Sequence, residues 1–172
     1  MRYMELGSSG IQVSKMGLGT WAIGGGPAWS GGPSEQNAVD TIVEAVKQGI
    51  NMVDTAPGYN FGASEGIVGK ALKRVDREKV ILVTKCGVVW NRKGTVWNKV
   101  GDRQLYRLLT PESVKLEVEE SLDRLGTDPY FCAAVAAKIN PRRMADLGRK
   151  LDARIAKSTM VTQTGLIERD QL

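Results

Sequence analysis

The sequence predicts an α/β fold in which parallel strands alternate with helices. Two observations support this prediction: three short apolar runs are each followed by a helix with an apolar face, and the 172 residues are 42% hydrophobic and 25% charged, as in a globular domain. Strand–helix–strand connections are right-handed, so we expect a parallel sheet with the helices outside it. A doubly wound sheet and an eight-stranded barrel both satisfy this alternation, which does not choose between them.

The first strand–helix unit extends to residue 49. An apolar run at residues 16–18 leads into a glycine-rich loop at 19–32, and Ser34 then provides a side chain of the type that caps helix N-termini. Gly49 ends the helix, because glycine readily adopts the left-handed conformation that follows a helix C-terminus. The apolar face of this helix carries Val39, Ile42, Val43 and Val46.

Two further units follow, with strands predicted at residues 51–54 and 80–84. The second of these strands is continuously apolar and rich in β-branched residues, which is typical of a strand covered on both faces. A helix from about Ser64 follows the first strand. A long loop at 87–109 and a helix at 110–126, which begins Thr-Pro and ends in glycine, follow the second. The apolar faces of these two helices carry Ile67, Val68, Ala71 and Leu72, and Val114, Val118, Leu122 and Leu125.

Composition argues against several classes of function. The net charge of +5 comes from Lys and Arg residues that are interleaved with Asp and Glu, so no nucleic-acid partner is expected. The chain contains no histidine, and Cys86 and Cys132 are far apart in sequence, so neither a metal site nor a disulfide framework is expected. No apolar stretch approaches the ~20 residues of a membrane span, and residues 1–10 lack the apolar core of a signal peptide. These features predict a cytoplasmic protein with no membrane partner.

Three side chains that can carry chemistry follow or end the predicted strands. Asp54 ends one strand, Lys85 ends the next, and Tyr59 lies in the turn after Asp54. Because the carboxyl ends of parallel strands open on one edge of a sheet, these three residues are expected to converge where α/β enzymes place their active sites. An ammonium beside a phenol favours release of the phenolic proton, so Tyr59 would act as a general acid.

The same pattern also fits a purely structural interpretation. In that case Asp54 and Lys85 form an ordinary ion pair at a strand edge and Tyr59 is a turn residue with its hydroxyl in solvent. The glycine-rich loop does not contain the GxGxxG fingerprint or a P-loop, so its glycines indicate a loop rather than a phosphate site. Spacing alone leaves both interpretations of the three side chains open.

Five motifs resemble the aldo-keto reductase family in their order and separation. They are Gly-Leu-Gly-Thr-Trp at 17–21, Gly-Ile-Asn-Met-Val-Asp-Thr-Ala-Pro-Gly-Tyr at 49–59, Ser-Glu at 64–65, Val-Thr-Lys at 83–85 and Ser-Leu-Asp-Arg-Leu-Gly at 121–126. The glycine-rich loop and the long insertion before the third helix are similar to the bacterial general-stress and sugar-aldehyde members of the family. The resemblance favours the catalytic interpretation.

The resemblance implies the N-terminal part of a TIM (β/α)8 barrel, opened by a β-hairpin at residues 2–13. It implies an oxidoreductase that reduces a small aldehyde or ketone by hydride transfer, with NADPH expected and NAD possible as the cofactor. By the same resemblance Tyr59 matches the proton donor, and Asp54 and Lys85 match the two residues that tune it. The cofactor and substrate would be lined by Asp54 together with Gly19, Thr20 and Trp21.

The resemblance ends near residue 127. The family continues with a fourth strand that ends in a histidine, whereas this chain contains none, and its 172 residues fall short of the ~250 that a barrel of this kind needs. We therefore expect an incomplete barrel at 1–127 and a divergent tail at 128–172, from truncation or rearrangement. The tail is predicted to contain a basic amphipathic helix at 142–157, with an apolar face of Met144, Leu147, Leu151 and Ile155.

Because the chain supplies only part of the barrel, we predict weak NADPH binding and impaired reductase activity for the chain by itself. Three alternatives remain open: an inactive remnant, a half-barrel that needs a partner or associates with itself through uncovered sheet edges, and a binding module whose basic segment at 138–157 contacts an acidic partner.

Overall fold

The computed structural model describes residues 1–6 and 10–127, and the backbone of three further strands at 132–135, 160–162 and 165–167. The α-helices in this part of the chain are α1 (Glu35–Lys47), α2 (Ala63–Leu72) and α3 (Pro111–Leu125), and short 3-10 helices lie at Pro27–Trp29 and Arg77–Lys79. The strands are β1 (Tyr3–Glu5), β2 (Gln12–Ser14), β3 (Leu18–Gly19), β4 (Met52–Asp54), β5 (Ile81–Cys86), β6 (Val88–Val89), β7 (Thr95–Val100), β8 (Arg103–Arg107), β9 (Cys132–Val135), β10 (Met160–Thr162) and β11 (Gly165–Ile167).

The main sheet has six strands in the order β11-β10-β9-β5-β4-β3. Neighbours from β3 to β10 pair in parallel, and β11 pairs antiparallel with β10. Strands β1 and β2 form a separate antiparallel hairpin before it. The predicted parallel α/β fold, the N-terminal hairpin and the unclosed barrel are confirmed over the described residues, where no strand joins β3 to β11.

Helix ends follow the capping signals in the sequence. The Ser34 side chain accepts a hydrogen bond from the backbone N–H of Asn37 at the start of α1, and the Thr110 side chain accepts one from Ser113 at the start of α3. Gly126 ends α3 in the left-handed conformation at φ 58°, as glycine allows without steric cost. The three predicted helices are confirmed with shifts of one or two residues at their ends.

The core lies between the helices and one face of the sheet. Along β5 the side chains alternate: Leu82, Thr84 and Cys86 are buried on the helix side, and Ile81, Val83 and Lys85 are half-buried on the opposite side. A period of two residues therefore places Lys85 away from the core, at the carboxyl end of the strand. The fully buried core side chains include Ile42, Val53, Val68, Leu82, Val114 and Leu125.

The expected long loop at 87–109 is wrong, because this segment folds into a three-stranded antiparallel sheet with the order β6-β8-β7. A two-residue turn joins β7 to β8, with Gly101 at φ 59° between the paired residues Val100 and Arg103. Leu105 is the one fully buried residue along β7 and β8, so the sequence shows no apolar alternation from which strands could be predicted.

The predicted helix at 142–157 lies outside the described residues, and the boundary between barrel and tail at 127 stays a prediction. Strand β9 lies just beyond that boundary and pairs in parallel with β5. None of the described helices is long and apolar enough to span a membrane.

Two glycines of α2 provide a test of the packing between α2 and α3. A Cβ at Gly69 would lie 2.7 Å from the carbonyl oxygen of Arg124 and 2.8 Å from that of Leu125, whereas a Cβ at Gly66 would meet nothing within 4 Å. Gly69→Ala should lower the free energy of unfolding by about 1–3 kcal/mol through overpacking. Gly66→Ala should raise it by up to about 1 kcal/mol, because alanine is the better helix former. Urea unfolding measures both, and equal effects would contradict the close helix contact.

Candidate active site

The Lys85 ammonium joins the three residues that the sequence placed at the strand ends. Its Nζ donates to Asp54 Oδ1 at 2.7 Å, to the backbone carbonyl of Thr55 at 2.9 Å and to the hydroxyl oxygen of Tyr59 at 3.0 Å. An ammonium has three N–H groups, so these bonds use all of them. The expected convergence of Asp54, Tyr59 and Lys85 on one edge of the sheet is confirmed.

Strand register explains why Asp54 and Lys85 meet. Asp54, the last residue of β4, is paired with Val83 of β5. Lys85 lies two residues further along β5, so its side chain is on the same face as Val83 and extends past the end of β4. Both members of the ion pair remain partly accessible, with side-chain exposures of 24% for Lys85 and 34% for Asp54. The charged atoms are therefore sheltered but can be reached by a ligand.

Tyr59 is held by the turn that follows β4. Its backbone N–H donates to the carbonyl of Ala56 at 3.1 Å, and its ring stacks on Trp21 with 6.0 Å between ring centroids and 23° between the planes. Because the hydroxyl oxygen accepts from Lys85, the phenolic hydrogen is free to point elsewhere. This is the arrangement that a proton donor requires.

The three residues from 19 to 21 have different surroundings. Gly19 pairs with Asp54 at the end of β3 and has open space where a side chain would stand. Thr20 is fully buried, and its hydroxyl bonds the carbonyl of Asp54 at 2.9 Å and the hydroxyl of Ser64 at 2.7 Å. Trp21 is half-exposed over the Tyr59 ring. Gly19 and Trp21 therefore face the site directly, and the Thr20 side chain supports Asp54 from inside the protein.

The sequence-based prediction missed Asn60 and Phe61, the two residues that follow Tyr59 in the turn and anchor it to neighbouring segments. Both residues have left-handed backbone, at φ 51° and 54°. The Asn60 side chain donates to the carbonyl of Gly24 at 2.9 Å, and the Phe61 ring contacts Trp90 at 5.7 Å edge to face. Left-handed backbone is unusual for phenylalanine and is more often seen for asparagine. In the sequence, therefore, Asn60 is compatible with a turn that needs left-handed backbone, whereas nothing about Phe61 indicates one.

A buried carboxylate, Glu65, supports β5 from the helix side. It accepts a hydrogen bond from the Thr84 hydroxyl at 2.6 Å and pairs with the Arg124 guanidinium at 2.6 Å, with no solvent exposure of its own side chain. The residue lies in α2, Thr84 in β5 and Arg124 in α3, so one carboxylate connects three elements. Burial of a charge is tolerated here because both carboxylate oxygens are bonded.

Glu117 is a second buried carboxylate, placed behind the end of β5. It accepts the backbone N–H of Gly87 at 2.7 Å and the hydroxyl of Ser113 at 3.0 Å. Burial raises the pKa of this carboxyl above its ordinary value, against the hydrogen bonds from Gly87 and Ser113, which lower it. Burial, and after it the Glu117 charge, also raise the pKa of the Cys86 thiol, which disfavours the thiolate form.

A cavity of about 320 Å³ opens beside Tyr59. Three segments form its walls: the glycine-rich loop, the turn after β4 and the small sheet of β6–β8. Most of its lining is apolar or aromatic and includes Trp21, Pro27, Tyr59, Phe61, Val88 and Trp97. Lys85 is the only charged side chain that lines it within the described residues. No group of three or more His, Cys, Asp or Glu in that part of the chain could hold a metal ion.

The chain thus combines an unclosed set of parallel strands with a lysine-linked tyrosine and aspartate at the strand ends and a mainly apolar cavity beside them. The model of the Aldo/keto reductase family matches residues 15–146. The chain belongs to this family.

Individual relatives agree with this assignment. Over 128 residues the chain is 62% identical to the NADH-specific methylglyoxal reductase of Escherichia coli strain K12. The matched region covers 74% of this chain and 39% of the relative. It is similar in structure to a glycerol dehydrogenase from Gluconobacter oxydans, with a TM-score of 0.72 and 33% identity over 93% of this chain and 47% of that one. An aldo-keto reductase from Bacillus halodurans gives the same TM-score of 0.72 at 27% identity, over 95% of this chain and 51% of that one. The chain spans less than half the length of the curated relatives it matches.

Asn60→Asp tests whether the turn depends on the bond to Gly24. The change keeps the size and the tolerance for left-handed backbone but replaces the N–H donor with a carboxylate facing a carbonyl oxygen. We expect a loss of about 1–3 kcal/mol in the free energy of unfolding and a weaker near-ultraviolet circular dichroism signal from the stacked Trp21 and Tyr59. Asn37→Asp, at an exposed position in the first turn of α1, should leave the aromatic signal unchanged and should not lower the free energy of unfolding, because a carboxylate is favourable near a helix N-terminus. An unchanged signal in Asn60→Asp would contradict the proposed link.

Glu117→Gln tests the burial of the second carboxylate through pH. Because its pKa is raised in the folded protein, the native state holds this proton longer than the unfolded chain, and the stability that Glu117 contributes falls as pH rises above the ordinary value of 4.5. Glutamine does not titrate, so the unfolding free energy of Glu117→Gln minus that of the parent should increase with pH.

Glu120→Gln provides a control of opposite sign. The Arg92 guanidinium bonds Glu120 and lowers its pKa, so this residue contributes stability above its ordinary pKa and loses it as pH falls. The unfolding free energy of Glu120→Gln minus that of the parent should therefore decrease as pH rises. Parallel pH profiles for the two variants would show that Glu117 is not desolvated.

Proposed function

We propose that this protein reduces the carbonyl group of a small aldehyde or ketone, with a nicotinamide cofactor and with Tyr59 as the proton donor. One observation carries the proposal. Lys85 donates to the hydroxyl oxygen of Tyr59, so the phenolic hydrogen remains available to a substrate oxygen in the neighbouring cavity. Asp54, Tyr59 and Lys85 then act as one unit, as the family membership leads us to expect.

In this mechanism the substrate carbonyl oxygen accepts a hydrogen bond from the Tyr59 hydroxyl. A bound nicotinamide would supply the hydride that adds to the carbonyl carbon. The electron pair of the C=O π bond moves to oxygen, which takes the phenolic proton, and the O–H bond of Tyr59 breaks. The ammonium of Lys85, 3.0 Å from the phenol oxygen, stabilises the negative charge left on Tyr59.

Asp54 completes this arrangement from the other side of the lysine. Its carboxylate, 2.7 Å from Lys85 Nζ, forms an ion pair with the ammonium and holds it beside the phenol. The carbonyl of Thr55 fixes the third direction of the ammonium. Lys85 is therefore positioned to act on Tyr59, and it has no N–H group left with which to bind the substrate directly.

The residues near Asp54 fit the nicotinamide end of the cofactor. Gly19 leaves open space beside the end of β3, Trp21 offers a half-exposed ring, and the Asp54 carboxylate is accessible as a hydrogen-bond acceptor. We propose that these three residues border the nicotinamide and that Thr20 positions Asp54. NADPH is the family expectation, but the 62% identical relative is an NADH-specific enzyme, so we propose NADH for this chain.

The substrate proposal follows from the same relative and from the cavity. Methylglyoxal is the substrate in the name of the Escherichia coli relative. The cavity beside Tyr59 is lined mainly by apolar and aromatic side chains, which suits the carbon frame of a small aldehyde. We therefore propose methylglyoxal and similar aldehydes as the first compounds to test.

The test joins residues 1–127 of this chain to the part of the Escherichia coli methylglyoxal reductase that follows its matched region. We expect this chimera to oxidise NADH in the presence of methylglyoxal. Tyr59→Phe removes the transferable proton while keeping the ring on Trp21, so it should lower kcat by about 10²–10⁴. NADH affinity, measured by fluorescence titration, should stay unchanged.

Tyr106→Phe is the matched control, because it removes a hydroxyl from a half-buried tyrosine in β8 that has no contact with Lys85. Its kcat should equal that of the parent chimera. The 172-residue chain by itself should bind NADH weakly, and micromolar affinity would contradict that expectation. If Tyr59→Phe retained full activity, the assigned role of Tyr59 would be wrong.

A further inference from the structure

Two exposed arginines of β8 flank Leu105, a residue that lines the cavity. Arg103, Leu105 and Arg107 alternate along β8, so their side chains lie on one face of the strand. Leu105 is buried and lines the cavity, and the two arginines on either side of it are exposed. The strand therefore places a positive charge on each side of the same apolar wall.

Each arginine lies against an aromatic ring that lines the cavity. The guanidinium carbon of Arg103 is 4.8 Å from the centroid of Phe61, and that of Arg107 is 5.3 Å from the centroid of Trp97. A guanidinium over a ring face is held in place by the ring, and its N–H groups stay available at the edge for an anion. Phe61 and Trp97 thus position both charges at the border of the cavity.

Neither arginine has a carboxylate partner among the described residues, in contrast to other arginines of the chain. Arg74 pairs with Asp40, Arg92 with Glu120 and Arg124 with Glu65. The ion pairs in this part of the chain do not include Arg103 or Arg107. Two guanidinium groups without carboxylate partners, close to the same cavity, can neutralise an incoming anion.

A β-bulge shapes the neighbouring wall. Val96 and Asn98 of β7 pair with the consecutive residues Tyr106 and Leu105, so Trp97 is an extra residue between them. Such a bulge changes the direction in which a side chain points. Here the bulged residue lines the cavity, where its ring also contacts Arg107.

We propose that Arg103 and Arg107 form an anion subsite that binds a carboxylate or phosphate group at the far end of a carbonyl substrate. The proposal rests on the proposed function, because it takes the carbonyl end to lie at Tyr59. The apolar middle of the substrate packs on Leu105, Phe61 and Trp97, and its anionic end meets the two guanidinium edges. Lys85 does not compete for that anion, since its three N–H groups are already bonded.

The test measures binding of alcohols, the products of the proposed reduction, to the 172-residue chain by isothermal titration calorimetry. Benzyl alcohol is the neutral probe, and 4-(hydroxymethyl)benzoate and 4-(hydroxymethyl)phenyl phosphate are the two anionic probes. We expect at least one anionic probe to bind about tenfold more tightly than the neutral one at low salt, with the advantage falling as salt is added. The stronger of the two identifies carboxylate or phosphate as the preferred group.

The double variant Arg103→Gln, Arg107→Gln should abolish this advantage and leave benzyl alcohol binding unchanged. Each single variant should lower the affinity advantage of the anionic probe. If circular dichroism shows that the double variant does not fold, the single variants provide the test. Lys99→Gln, on the neighbouring strand β7, removes one exposed charge that does not line the cavity and should keep the full advantage. Equal affinities for all three probes, or an advantage that survives the double variant, would overturn the proposal.

The outcome is separable from that of the proposed function. In the chimera, equal kcat/KM for benzaldehyde and 4-carboxybenzaldehyde with normal Tyr59 dependence would reject the anion subsite and keep the reductase. An anionic advantage in binding that depends on Arg103 and Arg107, in a chimera that reduces no aldehyde, would keep the subsite and reject the reductase.

Discussion

The ammonium of Lys85 is the point on which the site depends, because it connects three groups that come from different parts of the backbone. Asp54 belongs to β4, Thr55 offers a main-chain carbonyl just after it, and Tyr59 belongs to the following turn. All three can be bonded at once only if β5 extends two residues past the end of β4. A slip of one residue between these strands would turn the lysine to the helix side and break every bond.

The register is secured from the opposite face of the same strand. Thr84, next to Lys85, bonds the buried Glu65, which is also paired with Arg124 of α3. Gly87, just beyond the strand, donates its N–H to the buried Glu117. Removing Arg124 would leave the buried charge of Glu65 uncompensated, which costs about 3–5 kcal/mol. Two helices thus hold β5 in place through carboxylates, while its outer face presents the lysine.

The sequence was sufficient for those parts of the fold that follow a simple rule. Helices α1 to α3 were predictable because their buried positions repeat every three or four residues, and Asp54 and Lys85 because polar residues end apolar strands. The sheet of β6–β8 was not predictable, since only Leu105 along β7 and β8 is fully buried. Glu65 and Glu117 gave no signal as buried residues, because an acidic residue in a helix is usually solvated.

The glycine-rich loop shows why composition alone could not assign its role. A Cβ on Gly32 would lie 2.5 Å from the Cα of Gly25, one on Gly24 would lie 2.9 Å from the Cβ of Ser64, and one on Gly26 would lie 2.7 Å from the side chain of Asn60. These glycines therefore allow the loop to pack against itself and against the turn that carries Tyr59.

The consequence of that packing is that Trp21 lies on the Tyr59 ring and closes one side of the cavity. Trp97 and Leu105, from an insertion that has no part in the lysine network, form another part of the cavity wall. In the proposed mechanism, chemistry and selectivity would therefore be carried by separate segments: the strand ends and the turn after β4 position Tyr59, and the loops border the cavity beside it. Changes in the insertion can alter the substrate without moving Lys85, because the buried carboxylates hold β5 independently of β7 and β8.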